Sequence, residues 1–427
     1  MRVLMFGWEF PPHISGGLGT ACHELTRVLT RHGVRVSFVL PRMLAEPQRS
    51  PVQLVSAAAV PVSAPGEATR EFLKFLKIHA VDSALRPYLT EPHYAEALAQ
   101  AERRLDEPPR PLPPTVLEIR SPYACNLMAE VARYSEAAEV LARGESFDVI
   151  HAHDWMTFPA AVRAKLVSGK PLVVHVHSLE ADRSGPKANR DVVHIEKLGM
   201  EKADRVIAVS HYTRGLILEH YGIPPHKVVV VHNAVSRRTA GQAYRVEHKR
   251  AGRTVLFLGR ITFQKGPEYF VEAAARVIEN IPDVTFVMAG AGDMLPRMIE
   301  RVSQLRIGRH FHFTGFLQGR DVERMYAMSD LYVMPSVSEP FGISPLEAML
   351  YDVPVIVSKQ AGVAEVLTHA LKVDFWNVED IANNIIAVLK HPALAREMLR
   401  NGRRQLRHIR WEVAAERVMA VYNSLCR

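Results

Sequence analysis

The sequence predicts an α/β protein made of two Rossmann-like domains that face each other across a cleft. Short β-branched runs alternate with amphipathic stretches along the 427 residues, which is typical of parallel sheets covered by helices. The alternation occurs in two series, and the charged segment Ser236–Arg253, which has few large apolar groups, separates them. Because ligands bind outside the carboxyl ends of strands in such sheets, we expect functional side chains just after strands.

The first series begins at the N-terminal strand. Apolar residues recur at helical spacing from Leu18 to Leu29, which predicts a helix that ends at Gly33. The segment from about 42 to 122 is rich in Pro and Ala, and we interpret it as an insertion on the first domain. Another helix is expected around Ala129–Ala142. The strands predicted in this series are Val3–Phe6, Val34–Leu40, Asp148–Ala152, Leu172–His175, Arg205–Val209 and Lys227–Val231.

The second series repeats the same alternation after the charged segment. Its predicted strands are Thr254–Leu258, Thr285–Ala289, His310–Thr314, Asp330–Met334 and Val353–Ser358, with a helix after each. The domains predicted from the two series are residues 1–237 and 238–405, and residues 406–427 form a C-terminal segment.

The composition is globular, with 48% hydrophobic and 23% charged residues. A formal net charge of +8 raises the question of nucleic-acid binding. Acidic residues accompany most basic ones, and aromatic and basic residues do not interleave as in single-strand binders, so we expect no nucleic-acid partner. The densest basic stretch, Arg403–Arg410, is interpreted as a solvated helix face. A cleft for phosphates or peripheral contact with an anionic membrane is the alternative.

Cysteine usage and the N-terminus bear on location. The chain has only Cys22, Cys125 and Cys426, which are too few and too scattered for a disulfide framework or a zinc site. The apolar run after Met1 is too short for a signal peptide, and no run approaches membrane-spanning length. These observations favour a reducing, cytoplasmic location.

A glycine-rich loop follows the first predicted strand and opens a helix with Gly16, Gly17, Leu18 and Gly19. Glycines let a backbone pass close to a ligand, and the amides at a helix N-terminus are donors for phosphate. A tight turn explains the same glycines equally well.

Histidines end two neighbouring strands of the first series. His151, His153 and Asp154 end one strand, and His175 and His177 end the next. A histidine at this place can hydrogen-bond a substrate hydroxyl or a developing charge, or it can simply pair with backbone. The first three residues also resemble metal ligands. Because the chain contains no Asp-x-Asp, the carboxylate pair that commonly holds the metal of metal-dependent sugar transferases, we favour a polar contact and expect no metal.

Two basic residues follow the first strand of the second series. Gly259 and Arg260 leave that strand, and Lys265 comes five residues after Arg260. An arginine fork and a lysine point charge can together clamp a diphosphate, although any surface loop can carry such a pair. Gly290 follows the next strand in a weak form of a nucleotide loop, which a plain turn explains equally well.

The segment 335–347 follows a strand and opens a helix. Ser344 and Glu347 have the spacing of a capping box, with Pro345 in the first helical position. Glu339 has no such structural role, because it lies between turn formers on a loop predicted to be exposed. A carboxylate at that place can bind a sugar or ribose hydroxyl.

These motifs, in this order and spacing, resemble those of the retaining GT-B glycosyltransferases of family 4, with features shared with bacterial and archaeal glycogen synthases. The resemblance covers almost the whole chain. The motifs that carry it are Gly16-Gly17-Leu18-Gly19, His153-Asp154-Trp155, Asn233, Gly259-Arg260 with Lys265-Gly266, and Glu339 with Glu347. The chain departs from the family pattern at Ala234, where Gly is frequent, and at Ser15, where glycogen synthases often carry Lys.

The resemblance implies a GT-B fold and transfer of a hexosyl group, with glucosyl favoured, from a UDP- or ADP-sugar. The acceptor would be a carbohydrate or lipid-linked molecule, an α-glucan in the glycogen-synthase case. Residues 1–237 would form the acceptor side, residues 238–405 would bind the nucleotide sugar, and residues 406–427 would be a helix that crosses back to the first domain. No cofactor and no metal are implied.

The resemblance also implies residue roles. Arg260 and Lys265 would hold the donor diphosphate, Glu339 would contact the transferred sugar, and His153 would lie near that sugar. Glu347 would bind the ribose hydroxyls. The other donor contacts implied are Gly16, Gly17, Leu18, Gly259, Gly290, Phe341, Gly342 and Ile343.

Two other interpretations remain at this point. A sugar-nucleotide epimerase or a glycan phosphorylase would keep the fold and change the reaction, and a phosphorylase would carry a pyridoxal-phosphate lysine. A non-enzymatic nucleic-acid binder is the third hypothesis. The sequence leaves the oligomeric state open.

Overall fold

A computed structural model describes residues 1–10, 16–41, 52–57, 127–236 and 252–426. Several sequence predictions fall outside these ranges. They include Ser15, most of the insertion at 42–122, the boundary between residues 237 and 238, and most of the charged segment between the two series.

The first sheet has seven parallel strands in the order β3-β2-β1-β4-β5-β6-β7. The strands are β1 (Arg2–Phe6), β2 (Arg35–Leu40), β3 (Gln53–Ser56), β4 (Val149–His153), β5 (Leu172–Val176), β6 (Arg205–Ala208) and β7 (Val228–Val230). All of the strands predicted for this series are present, and β3 is an additional strand inside the region interpreted as an insertion.

The second sheet has six parallel strands in the order β10-β9-β8-β11-β12-β13. The strands are β8 (Arg253–Leu258), β9 (Val284–Ala289), β10 (Phe311–Gly315), β11 (Leu331–Met334), β12 (Val355–Ser358) and β13 (Leu371–Val373). The short edge strand β13 was not predicted, because three residues are too few to show alternation. The two sheets confirm the predicted α/β class with two parallel-sheet domains.

Helices cover both sheets. Those associated with the first sheet are α1 (Gly17–Arg31), α2 (Leu127–Gly144), α3 (Phe158–Ser168), α4 (Glu180–Ser184), α5 (Arg190–Lys202) and α6 (His211–Tyr221). Those that follow β8 are α7 (Pro267–Asn280), α8 (Leu295–Gln304), α9 (Arg320–Met328), α10 (Ser344–Leu350), α11 (Val363–Val366), α12 (Val378–Lys390), α13 (Pro392–Leu406) and α14 (Trp411–Leu425). Among the described helices, none is long and apolar enough to cross a membrane.

The last helix, α14, packs on the first sheet although it follows the second one in the chain. Its buried residues Trp411, Val418 and Tyr422 belong to the same apolar core as Val3 of β1 and Leu25 of α1. The amphipathic pattern of α14 explains this placement, because an apolar face must be buried against another element.

Candidate active site

In each sheet the chain once reverses the side on which it adds strands. Several predicted site residues follow the strands on either side of these two reversals. The chain builds the first sheet outward from β1 and then returns to β4, and it builds the second outward from β8 and returns to β11. The loops after such neighbouring strands diverge and leave a crevice at the carboxyl edge. His153 ends β4, Gly259 and Arg260 follow β8, and the 335–342 loop follows β11.

At the second sheet, Lys265 and Glu339 form an ion pair between the loops that follow β8 and β11. The Glu339 side chain is only 9% exposed and the Lys265 side chain 21%. Ser336 also approaches the same carboxylate, with its Oγ 3.5 Å from Oε2. Because water is largely excluded from this ion pair, its electrostatic interactions are stronger than those of an exposed pair.

The prediction that Glu339 lies on an exposed loop is wrong. The residue is 7% exposed and forms a parallel bridge to Ala361. Its N–H donates to the Gln360 carbonyl at 3.0 Å, and its own carbonyl accepts from Gly362 N–H at 2.9 Å. Turn-forming neighbours indicate a loop correctly, but they do not reveal that a second loop and Lys265 cover it.

Arg260 lies in the same loop system and makes a different contact. Its guanidinium donates to Gln264 Oε1 at 3.1 Å, and Gln264 itself is buried. A neutral amide acceptor leaves the positive charge of Arg260 uncompensated by that contact, so the fork remains suited to an anion.

Gly259 and Gly290 lie back to back in the loops after β8 and β9. Gly290 has a φ of 145°, and a Cβ at this residue would be 1.8 Å from the Gly259 carbonyl oxygen. Gly259 N–H donates to the Ala289 carbonyl, and Gly290 N–H donates to the Gly315 carbonyl. Gly290 therefore serves close packing of the two loops, whereas a Cβ at Gly259 would meet no described atom within 4 Å.

The capping box predicted at the start of α10 is not formed. The N-cap of this helix is Ile343, one residue earlier than predicted, and no side chain caps it. The Ser344 hydroxyl instead hydrogen-bonds with Tyr326 and Tyr332, which places it inside the second domain. Glu347 accepts a hydrogen bond from Tyr326 Oη at 3.1 Å, so its carboxylate is held by a phenol and not by the helix start.

The residues before α10 join the two domains. Phe341 is buried, and its carbonyl accepts from Val363 N–H at 2.7 Å. Ile343 packs against the apolar core that contains β1 and α14 as well as against the core of the second domain. Within the described part of the chain, no acceptor contacts the N–H groups of Gly342 and Ile343.

At the first sheet, the glycine-rich loop opens α1 as predicted. Gly16 is the N-cap and Gly17 is the first helical residue. A Cβ at Gly17 would have no atom within 4 Å among the described residues. Leu18 is partly buried against the apolar core that contains β1, α1 and α14.

The histidines that end β4 and β5 stack on one another. We call His151, His153, His175 and His177 the histidine cluster. The ring centroids of His151 and His153 are 4.4 Å apart and those of His175 and His177 are 4.2 Å apart, both pairs stacked. His153 Nδ1 lies 3.0 Å from His177 Nε2, and His151 Nδ1 lies 2.5 Å from Tyr422 Oη of α14.

Burial keeps the histidine cluster uncharged. Burial lowers the pKa of His151 and His177 to about 3 and the pKa of His153 and His175 well below the usual range. Neighbouring imidazoles lower the pKa of His151, His153 and His175 further. His153 Nε2 is buried without a partner among the described residues. A neutral imidazole can donate or accept at such a nitrogen, which suits a hydroxyl ligand.

His151, His153 and His175 bring ligand atoms within 4.8 Å of one another, but the rings of these three residues are poorly oriented to share one metal ion. The rings of His151 and His175 are only 6° from parallel. A metal lies in the ring plane of each imidazole that binds it, so nearly parallel stacked rings do not direct their lone pairs at one point. Asp154, which the sequence grouped with these histidines, is used differently. It has a φ of 60°, and its Oδ1 accepts the N–H of His177 at 2.7 Å and of Ser178 at 3.3 Å.

The structure brings Lys265 and Glu339 into contact, Arg260 lies in the same loop as Lys265, and Glu347 lies on α10, which follows the loop of Glu339. Among the described residues, no hydrogen bond or ion pair joins His153 or Gly16–Leu18 to these four residues. Sequence reasoning missed Gln264, whose carbonyl also accepts Val337 N–H at 2.9 Å. The only local signal for it was its position next to Lys265.

Two family models match the chain. A model described as Glycosyltransferase Family 4 matches residues 91–238, and one described as Glycosyl transferases group 1 matches residues 243–405. A glycogen synthase of Mycobacterium tuberculosis is 26% identical over 99% of this chain and 94% of its own length. An alpha-maltose-1-phosphate synthase of Mycolicibacterium smegmatis is 30% identical over 70% of this chain and 84% of its own length.

Solved structures share the arrangement of the two sheets. The sucrose-phosphate synthase of Thermosynechococcus elongatus superposes with a TM-score of 0.71 at 17% identity, over 99% of this chain and 98% of that one. The Anabaena protein Alr3699/HepE in complex with UDP-glucose superposes with a TM-score of 0.64 at 17% identity, over all of both chains. At these identities the superpositions bear on the fold.

Proposed function

Since the chain belongs to the GT-B glycosyltransferases of family 4, we propose that it is a retaining hexosyltransferase that uses a UDP- or ADP-sugar. The transferred group is a glucosyl group and the acceptor is a carbohydrate, with an α-glucan as the leading candidate. The glycogen synthase relative supports the glucan and the UDP-glucose complex of the Anabaena protein supports the donor class.

The observation that carries this proposal is the contact between Lys265 and Glu339 beside Arg260 at the switch point of the second sheet. Negative charge develops on the leaving nucleotide diphosphate when the glycosidic bond breaks. Preorganised cations stabilise that charge more than they stabilise the ground state. Arg260 and Lys265 supply these cations, and Glu339 accepts a hydroxyl of the transferred sugar.

The remaining roles follow from position. Glu347 binds the ribose hydroxyls, with its carboxylate oriented by Tyr326. His153 offers its unpartnered Nε2 to the transferred sugar. The backbone contacts of the donor are Gly16, Gly17 and Leu18 from the first domain and Gly259, Gly290, Phe341, Gly342 and Ile343 from the second.

In the proposed reaction the acceptor hydroxyl attacks the anomeric carbon from the face that the diphosphate leaves. The bond between the anomeric carbon and the phosphate oxygen breaks, and its electron pair stays on that oxygen. The acceptor oxygen forms the new bond, and its proton passes to the leaving phosphate. Neither a protein base nor a metal is required for this balance, so we propose an enzyme without a resident cofactor.

The proposal keeps the cytoplasmic location that the scattered cysteines indicate. It includes no nucleic-acid partner and leaves peripheral membrane contact and the oligomeric state open.

The test is a turnover assay with UDP- and ADP-hexoses, each with and without maltooligosaccharides. Release of free nucleotide that increases with acceptor supports transfer, and an α-linked product in the NMR spectrum supports retention. Absence of turnover with every common sugar nucleotide would refute the proposal. Turnover that gives only a β-linked product would refute the retaining mechanism alone.

A further inference from the structure

The hydroxyl of Ser338 connects the two domains. Ser338 belongs to the second domain, and its Oγ donates to Asp182 Oδ1 of α4 in the first domain. Tyr212 Oη, from the start of α6 in the first domain, lies 2.9 Å from the same Oγ. A carboxylate can only accept, so the Ser338 proton points to Asp182 and Tyr212 donates its own. One hydroxyl is thus held by two residues of the other domain.

The two residues of the first domain are themselves fixed. Asp182 is 2% exposed, and its second oxygen accepts Leu179 N–H at 2.9 Å. The α6 start that carries Tyr212 is capped by Ser210 and also by Glu365 of the second domain, which accepts the N–H groups of His211 and Tyr212 at 2.9 Å and 2.6 Å. Ser338 therefore bonds to two groups that are themselves held in place.

Glu339 lies between two residues that the first domain holds. Ser338 precedes it, and Pro340 follows it with a carbonyl that accepts from Thr213 Oγ1 at 3.2 Å. The backbones are in close contact here, because a Cβ at Gly362 would be 2.2 Å from the Pro340 carbonyl oxygen and 2.5 Å from Ser210 Cβ. The first domain therefore holds the backbone on both sides of Glu339, in addition to the bridge that joins Glu339 to Ala361.

We propose that Asp182, Tyr212 and Thr213 are positioning residues that set the Glu339 carboxylate from the opposite domain through Ser338 and Pro340. This inference rests on the proposed function of Glu339 as the ligand of the transferred sugar. The diphosphate site is different, because no hydrogen bond or ion pair among the described residues joins Arg260 or Lys265 to Asp182, Tyr212 or Thr213. Loss of the Ser338 contact therefore lowers turnover and leaves the affinity for free nucleotide nearly unchanged.

The test compares Ser338→Ala, Ser338→Thr and Tyr212→Phe with the wild type. A hydrogen bond to a charged group is worth about tenfold or more in an equilibrium constant, so we expect kcat of Ser338→Ala to fall about tenfold. The inhibition constant of free nucleotide stays within about twofold. Ser338→Thr keeps the hydroxyl and restores turnover. The control is Ser303→Ala on the exposed face of α8, which leaves both quantities unchanged.

A double-variant cycle with Glu339→Gln separates positioning from general destabilisation. If Ser338 acts through Glu339, Ser338→Ala lowers kcat little further in the Glu339→Gln background. Independent, multiplicative losses would overturn the inference, and so would normal turnover of Ser338→Ala. The proposed function fails on its own criterion, which is absence of turnover in the wild type, so the two failures are distinguishable.

Discussion

The carboxyl edges of the two sheets carry different polar chemistry. The second sheet presents charged groups, with Lys265 and Glu339 paired and Arg260 beside a neutral amide. The first sheet presents the histidine cluster, whose imidazoles are kept neutral by burial. Arg260 and Lys265 can stabilise a departing diphosphate, while the neutral imidazoles can exchange hydrogen bonds with hydroxyls. Under the proposed function the second domain supplies the cations for the diphosphate, while Glu339 of that domain and His153 of the first domain both contact the transferred sugar.

The largest effect is expected for Lys265→Ala. Removal of a preorganised charge partner of the transition state costs about 10²–10³ in kcat, and we expect a loss of that size. The measurement is steady-state nucleotide release with saturating acceptor. Lys390→Ala, at the exposed end of α12, is the matched control and retains full turnover.

Lys265→Ala also leaves Glu339 without its cation. The double variant Lys265→Ala/Glu339→Gln removes that unpaired carboxylate. If turnover returns in the double variant, the loss came from the stranded charge, and the assigned role of Lys265 is wrong. Normal kcat in the single variant would contradict it as well.

A smaller effect is expected for Glu339→Gln, which keeps the shape and removes the charge. A hydrogen bond to a charged group is worth about 1.5–3 kcal/mol, which corresponds to a loss of about 10- to 100-fold in kcat/KM for the sugar nucleotide. The affinity for free nucleotide should not fall, because the variant also removes the ion-pair partner of Lys265 and leaves that cation free for the diphosphate. Equal losses for sugar nucleotide and free nucleotide would show that Glu339 does not discriminate the sugar.

The neutral edge predicts a pH dependence of stability. In the folded chain the pKa of His151 is about 3, against 6.5 for an unperturbed histidine. Between these pH values the unfolded chain binds a proton that the folded chain does not. The free energy of unfolding therefore decreases as the pH falls from about 6.5 towards 3, and the stabilising contribution of neutral His151 is complete above about 6.5. Burial also raises the pKa of Asp154 to about 6 and of Glu196 to about 7, which opposes this trend by favouring the folded chain at lower pH.

A difference between variants isolates the histidine contribution. We expect the pH slope of unfolding free energy for His151→Gln to correspond to about one proton fewer than in the wild type. Denaturant unfolding at a series of pH values gives the slope, and His226→Gln, an exposed position, should leave it unchanged. Identical slopes for His151→Gln and the wild type would mean that His151 is already protonated in the folded chain.

The smallest effect is expected for Tyr422→Phe, which removes the phenol that contacts His151 from α14. A buried polar group that loses its partner costs about 1–3 kcal/mol of unfolding free energy. Tyr269→Phe on α7 is the control. Turnover at low temperature should stay close to that of the wild type, because the contact lies on the side of the cluster that α14 covers. A large loss of kcat without loss of stability would place Tyr422 in the active site.

The sequence located the candidate site better than it described its environment. The strand end at His153 and the loops that carry Gly259 and Glu339 after β8 and β11 were predicted from patterns of a few neighbouring residues, and these segments follow the strands next to the two switch points. The exposure of Glu339 was wrong because its cover comes from Lys265, 74 residues away in the chain. The capping box was wrong because Ser344 finds phenol partners that no local pattern shows.

Local residue patterns were enough to establish two parallel α/β sheets, because alternation and helix termini depend on neighbours in the chain. They also indicated which loops carry polar side chains. The tertiary structure was needed to show that Ser338 meets Asp182, that four histidines stack into an uncharged cluster, and that α14 covers it. Those features depend on burial and on contacts between residues far apart in the chain, and burial is what determines whether a polar side chain is charged.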